Sequence, residues 1–317
     1  MTPQEFSRRH EADWQRFADL LRDRHSPDRG EFPARYREIC AHLALARDRH
    51  YPLALVEQLN DLALAGQQRL YRHQGGLWPA FLEFLSAGFP ALVRRHAGLF
   101  WLAAACFYLP MLGMAIAIWW QPELIYSVMP AGSVRDFEAM YAPGKSLLGA
   151  RPDDSRFMMF GYYLQHNTGI GFQTFAGGIF AGLGSLFFLL FNAIAIGAVA
   201  GHLTRIGYHE NFLSFVVTHS AFELTAIVLS GMAGLLLGLA LAAPGARRRK
   251  DALILRGREA IRLVYGAALL FLVAAAVEGF WSSSTSIPAS VKYAVGGLAW
   301  LAVSSWLLLA GRSRHAH

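Results

Sequence analysis

Residues 99–120 read LFWLAAACFYLPMLGMAIAIWW, a run of 22 residues without an Asp, Glu, Lys, Arg or His. At ~1.5 Å of rise per helical residue such a run reaches across the ~30 Å hydrocarbon core of a bilayer. Pro110 predicts a kink within it, and the Trp119-Trp120 pair suits a membrane–water interface. Further apolar runs follow downstream. Residues 158–201 carry His166 as their one ionisable candidate among Asp, Glu, Lys, Arg and His, and are long enough for two crossings. Phe212–Leu241, Leu263–Trp281 and Val291–Ala310 are further runs. The spacing therefore predicts an all-α fold: a polytopic membrane helix bundle of about six helices, over about 99–120, 158–180, 182–204, 212–241, 263–281 and 291–310. The hairpin turn between the second and third spans is expected within Gly177–Gly184.

Upstream of this run the chain changes character. Residues 1–98 hold 14 Arg against 12 acidic residues, which predicts a small helical domain there, with 99–311 forming the membrane domain and 312–317 a short tail. Helices are expected from about Thr2 to Arg24, over 33–49, from Pro52 towards Gly75-Gly76, and from Trp78 to Arg95. The apolar spacing of Trp14, Phe17, Leu20 and Leu21 carries the first of them. Trp14, Tyr36, Leu43, Leu59 and Tyr71 are the expected core, and Ser26-Pro27-Asp28-Arg29-Gly30 breaks the pattern.

Over the whole chain, 54% of residues are hydrophobic and 16% charged, unusual for a globular protein. The net charge of +7 does not indicate nucleic acid, because much of the excess lies in 243–262, between two apolar runs. A basic cluster there fixes topology and meets anionic lipid. Parity of crossings refines this. With two crossings in 158–201, the Arg94/Arg95, Arg247–Lys250 and Arg312/Arg314 groups all fall on one side. The positive-inside bias then places both termini in the cytoplasm and 121–157 outside. Cys40 and Cys106 are too isolated for a zinc site or a disulfide. The polar opening of the chain predicts that the first apolar run serves as an internal signal-anchor.

Polar groups inside the spans are the functional candidates, since each is costly in hydrocarbon. His219 and Glu223 lie four apart on one helical face, continued by Ala226, Ser230, Gly234 and Gly238. That face points towards other helices, as a proton-responsive or partner-binding site or as an interhelical hydrogen bond. Asn192, in span three, is expected to clamp that helix to span four rather than to serve as a ligand. Glu278, near the outer end of its span, reads either as a functional carboxylate or as one that reaches the interface. Gln165, His166 and Asn167 are expected to cap or line the outer face. Gly178 and Gly182 form a small-xxx-small packing signal. Spacing alone supports no catalytic triad, phosphate loop, cofactor site or metal-ligand set.

Three stretches bring a known family to view. These are 167–185 (NTGIGFQTFAGGIFAGLGS), Phe191-Asn192 with 218–235 (THSAFELTAIVLSGMAGL), and the closing Ala276-Val277-Glu278-Gly279-Phe280. Together with Trp14, Tyr36-Arg37, Leu59-Asn60 and Leu70-Tyr71, they make residues 10–285 resemble the stage II sporulation protein M family. Asn192-Ala193 and His219-Ser220 stand where that family often has Asn-Gly and His-Gly. The long N-terminal helical domain resembles the branch found in Gram-negative, non-sporulating bacteria. The resemblance implies a multi-pass protein of the bacterial inner membrane without known catalysis. It also implies partners, either peptidoglycan-remodelling enzymes or a MoxR-type ATPase system with other membrane proteins.

The first expectation is thus a non-enzymatic scaffold or partner subunit in cell-envelope machinery, contacting membrane lipids and needing no cofactor. The second is a proton-coupled transporter or lipid-handling protein using His219/Glu223, and the third an intramembrane enzyme. A water-filled cavity would favour the second, and a convergent third ligand beside His219 and Glu223 would favour the third.

Overall fold

The computed structural model describes residues 1–22, 30–71, 77–144, 153–284 and 286–312. It divides into two compact units, Met1–Ala80 and Phe81–His317. Among the described residues every regular element is a helix and none is a strand.

The first unit holds α1 (Pro3–Arg22), α2 (Phe32–Asp48) and α3 (Leu53–Tyr71). A reciprocal cap starts α1: the Thr2 backbone N–H donates to Glu5 Oε2 (3.0 Å), and the Glu5 N–H donates to Thr2 Oγ1 (3.3 Å). Each group satisfies a donor that the first helical turn leaves free. Phe6, Trp14, Phe17 and Leu20 of α1 are buried with Ile39 and Ala46 of α2 and Leu59 and Ala63 of α3. Trp14 and Leu59 thus enter the core as expected, whereas Tyr36 and Leu43 sit at its edge, half-buried. The Tyr71 side chain and the 26–29 break lie outside the described residues. Gly66 admits the close approach of α3: a Cβ there would stand 2.6 Å from the Tyr36 ring and 2.8 Å from Phe17.

The second unit begins earlier than the first apolar run. The fourth predicted helix is interrupted, as α4 (Leu77–Glu83), a π-helical turn (Phe84–Gly88) and α5 (Phe89–Arg95). Phe89 is fully buried and stacks on Trp306, its ring filling the place where a Gly266 side chain would project. Arg94 donates to the carbonyls of Leu307 (2.8 Å) and Ala310 (2.7 Å), satisfying acceptors left free at a helix C-terminus. Residues 81–98 therefore belong with the membrane domain and not with the N-terminal unit. The amphipathic pattern alone gave no reason to separate them.

Next come α6 (Ala97–Trp120), the short α7 (Ile125–Val128) and α8 (Ala131–Tyr141), then α9 (Asp153–Ala176), α10 (Leu183–Arg205) and α11 (His209–Ala242). The chain continues with α12 (Arg249–Ala276), a π-helical turn (Val277–Ser282) and α13 (Ala289–Leu309). Among the described residues, five helical stretches are long and apolar enough to cross a membrane: α6, α10, α11, α13, and α12 with its π turn. The sixth expected crossing, α9, is also 24 residues long but more polar. Its register shows how it lies. Phe160 meets Gly279, Asn167 meets Glu278 and Gly171 meets Phe271, so α9 runs antiparallel beside α12. Conversely, Gly197 meets Met111 and Gly201 meets Ala115, four residues further along both chains, so α10 and α6 run parallel.

Helix α11 is the central pillar: 78% of its most apolar stretch is buried, against 17% for α6. The outer helices turn large apolar side chains outward, among them Trp101, Leu109, Phe172, Phe187 and Leu301. Such surfaces belong in lipid rather than water.

Candidate functional site

The face of α11 predicted from spacing is buried and divides into two parts. Its lower part is a packing seam. The α9–α10 connection is a 3₁₀ turn at Gly177–Ile179 followed by Gly182 in the left-handed region (φ +88°). A Cβ on Gly178 would stand 2.2 Å from the Gly234 carbonyl oxygen, and one on Gly238 would stand 2.2 Å from the Gly182 nitrogen. Gly178 and Gly182 are therefore not two turns of one packing helix. They form the tip of a hairpin seated backbone-to-backbone on Gly234 and Gly238. Ser230 is buried in the same seam, and Ser185 donates to the Thr174 carbonyl across the hairpin (2.6 Å).

Four turns away along α11 lies the polar part. His219 Nε2 faces Glu223 Oε2 at 3.6 Å. Glu278, from the π turn after α12, completes a group in which one ligand atom from each residue lies within 4.8 Å of the others. Glu278 is 8% exposed, so of its two readings the one that reaches the interface fails and the carboxylate turns into the bundle. The π turn buries Glu278, Gly279 and Ser282 together; such local widenings recur at functional sites.

A polar shell surrounds the three. Asn167 of α9, also buried, donates through Nδ2 to Glu278 Oε2 (3.4 Å). Ser282 Oγ lies 3.1 Å from His219 Nδ1 and 2.5 Å from Thr218 Oγ1, and its carbonyl accepts from Lys292 Nζ (2.8 Å). One turn of the π segment thereby ties α11 to α13. Beside it the Trp300 indole donates to Ser220 Oγ (3.1 Å). Glu223 and Glu278 have no Lys or Arg partner among the described residues, since the nearby Lys292 is engaged by a carbonyl. Two carboxylates so placed repel each other in a low-dielectric interior unless a proton or cation stands between them.

Asn192 does not join this site. Its Nδ2 donates to the Phe188 carbonyl of its own helix (2.8 Å), a back-bond that satisfies the amide locally. The expected clamp between spans three and four is thus absent among the described residues, and the polar group instead joins α11 to α9, α12 and α13. His166 stacks on Tyr162 of its own helix. Sequence reasoning missed Thr218, Ser282 and Lys292. Lys292, one residue inside the last apolar run, was the available signal.

A central glycine- and serine-lined helix, lipid-facing neighbours and a buried polar cluster define a polytopic α-helical integral membrane protein. The family of stage II sporulation protein M matches residues 99–283. The chain belongs to that family. Its N-terminal part, residues 4–72, matches a domain of unknown function, DUF8413. No curated protein and no solved structure matches the chain.

Proposed function

We propose that the protein is a non-enzymatic scaffold or partner subunit of cell-envelope machinery in a bacterial inner membrane, with six crossings and both termini cytoplasmic. The observation that carries this reading is the backbone-on-backbone seam of the Gly177–Gly182 hairpin against Gly234 and Gly238. Alternating-access transport relies on elements that rock or slide past one another. A seam without side chains between the backbones resists such sliding and suits a rigid platform. The antiparallel register of α9 with α12 supports counting α9 as a crossing. The separate helical unit at 1–80 supplies a surface for a cytoplasmic partner such as a MoxR-type ATPase. Peptidoglycan-remodelling enzymes are the partners expected on the other side.

The test is affinity purification of the tagged full-length protein from crosslinked native membranes, with mass spectrometry. Reproducible enrichment of an ATPase of that type or a peptidoglycan-remodelling enzyme is expected. Recovery of the protein with neither would sink the reading. The convergent Glu278 is the third ligand that an intramembrane enzyme would need, while the alternative kept in second place, a proton-coupled transporter or lipid-handling protein, draws on the same buried His219–Glu223–Glu278 group. Dissipation of an imposed pH gradient by proteoliposomes of the purified protein would move it into first place.

A further inference from the structure

We infer that His219, Glu223 and Glu278 form a binding site for one first-row divalent cation, best suited to Zn²⁺, inside the transmembrane bundle. One helix and a π turn converge on it. His219 and Glu223 stand one turn apart on α11, and Glu278 arrives 55 positions later in the chain; the three ligand atoms lie within 4.8 Å. Ligands in a tetrahedral zinc shell stand about 3.4 Å apart, given bond lengths of about 2.0–2.2 Å. The His219 Nε2 to Glu223 Oε2 distance of 3.6 Å already meets that. The Glu278 oxygen lies within 4.8 Å of both, at most about 1.4 Å beyond that spacing.

Two features of the shell point to a ligand rather than to an acidic cluster alone. His219 is 4% exposed, and its ring is oriented by the bond between Nδ1 and Ser282 Oγ. That leaves Nε2 aimed at the carboxylates, the arrangement by which a second shell orients a metal-binding imidazole. Glu278, 8% exposed, accepts one long bond from Asn167 on Oε2, and among the described residues Oε1 receives no donor and keeps some exposure, which leaves it open to a ligand. The charge also balances. Two carboxylates and a neutral imidazole carry −2, so a divalent cation leaves the site neutral within the membrane, whereas a monovalent one does not. An imidazole beside two carboxylates favours zinc, manganese or iron over magnesium or calcium. The three residues leave a fourth coordination position for water or another small ligand. A scaffold needs no metal, so failure to recover partners would leave this site untouched.

The test uses the full-length protein in mild detergent, without a histidine tag. After treatment with chelator and equilibration with micromolar Zn²⁺, elemental analysis should find about one zinc per chain, and X-ray absorption should show a shell of nitrogen and oxygen only. Glu223→Gln and Glu278→Gln, which preserve side-chain shape, should weaken zinc binding at least tenfold. Ser282→Ala, acting through the His219 ring, should weaken it by about 10–100-fold. His202→Gln, at the separate His202–Glu138 pair (2.7 Å), should bind as the wild type does. Should the glutamine variants fail to fold, the wild-type absorption spectrum and a zinc-dependent rise in its melting temperature decide. No zinc uptake by wild-type protein, sulfur in the shell, or undiminished binding in folded Glu223→Gln and Glu278→Gln would each overturn the site.

Discussion

At the residue scale, Ser282 does more than its small side chain suggests, because it satisfies three groups on two other helices. In metal-free protein, Ser282→Ala should lower stability by about 1–2 kcal/mol, the upper range for an interhelical hydrogen bond in a membrane. The loss leaves His219 Nδ1 without its partner. Ser283→Ala should stay within about 0.5 kcal/mol, since among the described residues Ser283 bonds only to the Gly279 carbonyl of the adjoining π turn. Thermal unfolding in detergent compares the two, and equal losses would count against Ser282 as the hub. In the N-terminal unit, Trp14 Nε1 donates to His42 Nδ1 (3.1 Å) and the His10 ring lies 4.1 Å from that of His42. Burial, and then the neighbouring His10, hold His42 below the usual imidazole range, while Glu38 and Asp13 pull weakly upward. Unfolding therefore frees His42 to take up a proton more readily, so its contribution is fully present above about pH 6.5. Stability should fall as pH drops through that value towards the lower folded one. The protection of residues 1–71 of the full-length protein against hydrogen exchange, measured relative to the intrinsic exchange rate at each pH, should fall on acidification, and His42→Gln should flatten that response.

At the element scale, periodicity identified α11 and its small-residue face, because a helix places residues four apart in one row. It could not say what fills that face. The Gly178 and Gly182 pair reads as a helix-packing signal, yet the structure uses it in a turn. The positive φ of Gly182 and the absence of a Gly178 side chain serve one close approach. Gly178→Ala should accordingly cost about 1–3 kcal/mol through overpacking against backbone that has nowhere to move. Gly297→Ala is the matched control: nothing lies within 4 Å of its Cβ, and alanine is the better helix former, so melting temperature should hold or rise. If both variants melted alike, the seam would not be the tight contact described.

At the scale of the whole molecule, the proposed topology places Ala131 and Ser286 outside and Ala246 inside. All three positions are exposed in the fold. In a background with Cys40 and Cys106 replaced by serine, an impermeant thiol reagent applied to intact cells should label Ala131→Cys and Ser286→Cys. Ala246→Cys should react only after the membrane is opened. Labelling of Ala246→Cys from outside would overturn the six-crossing arrangement, because it would put the Arg247–Lys250 cluster on the wrong face.

What the sequence determined by itself was whatever depends on local composition: apolar runs of membrane length, helical periodicity, and the small-residue face of α11. The same local signal exposed His219 and Glu223 as costly groups in an apolar setting. Only tertiary structure decided their company. Glu278, Ser282, Asn167 and Lys292 lie tens of residues away in the chain, and no spacing rule links positions on different helices. Burial of Glu278 depends on where α12 widens into its π turn and on which neighbour lies there. The boundary near residue 80 likewise follows from Phe89 and Arg94 finding partners on α12 and α13, a choice made by packing between distant segments.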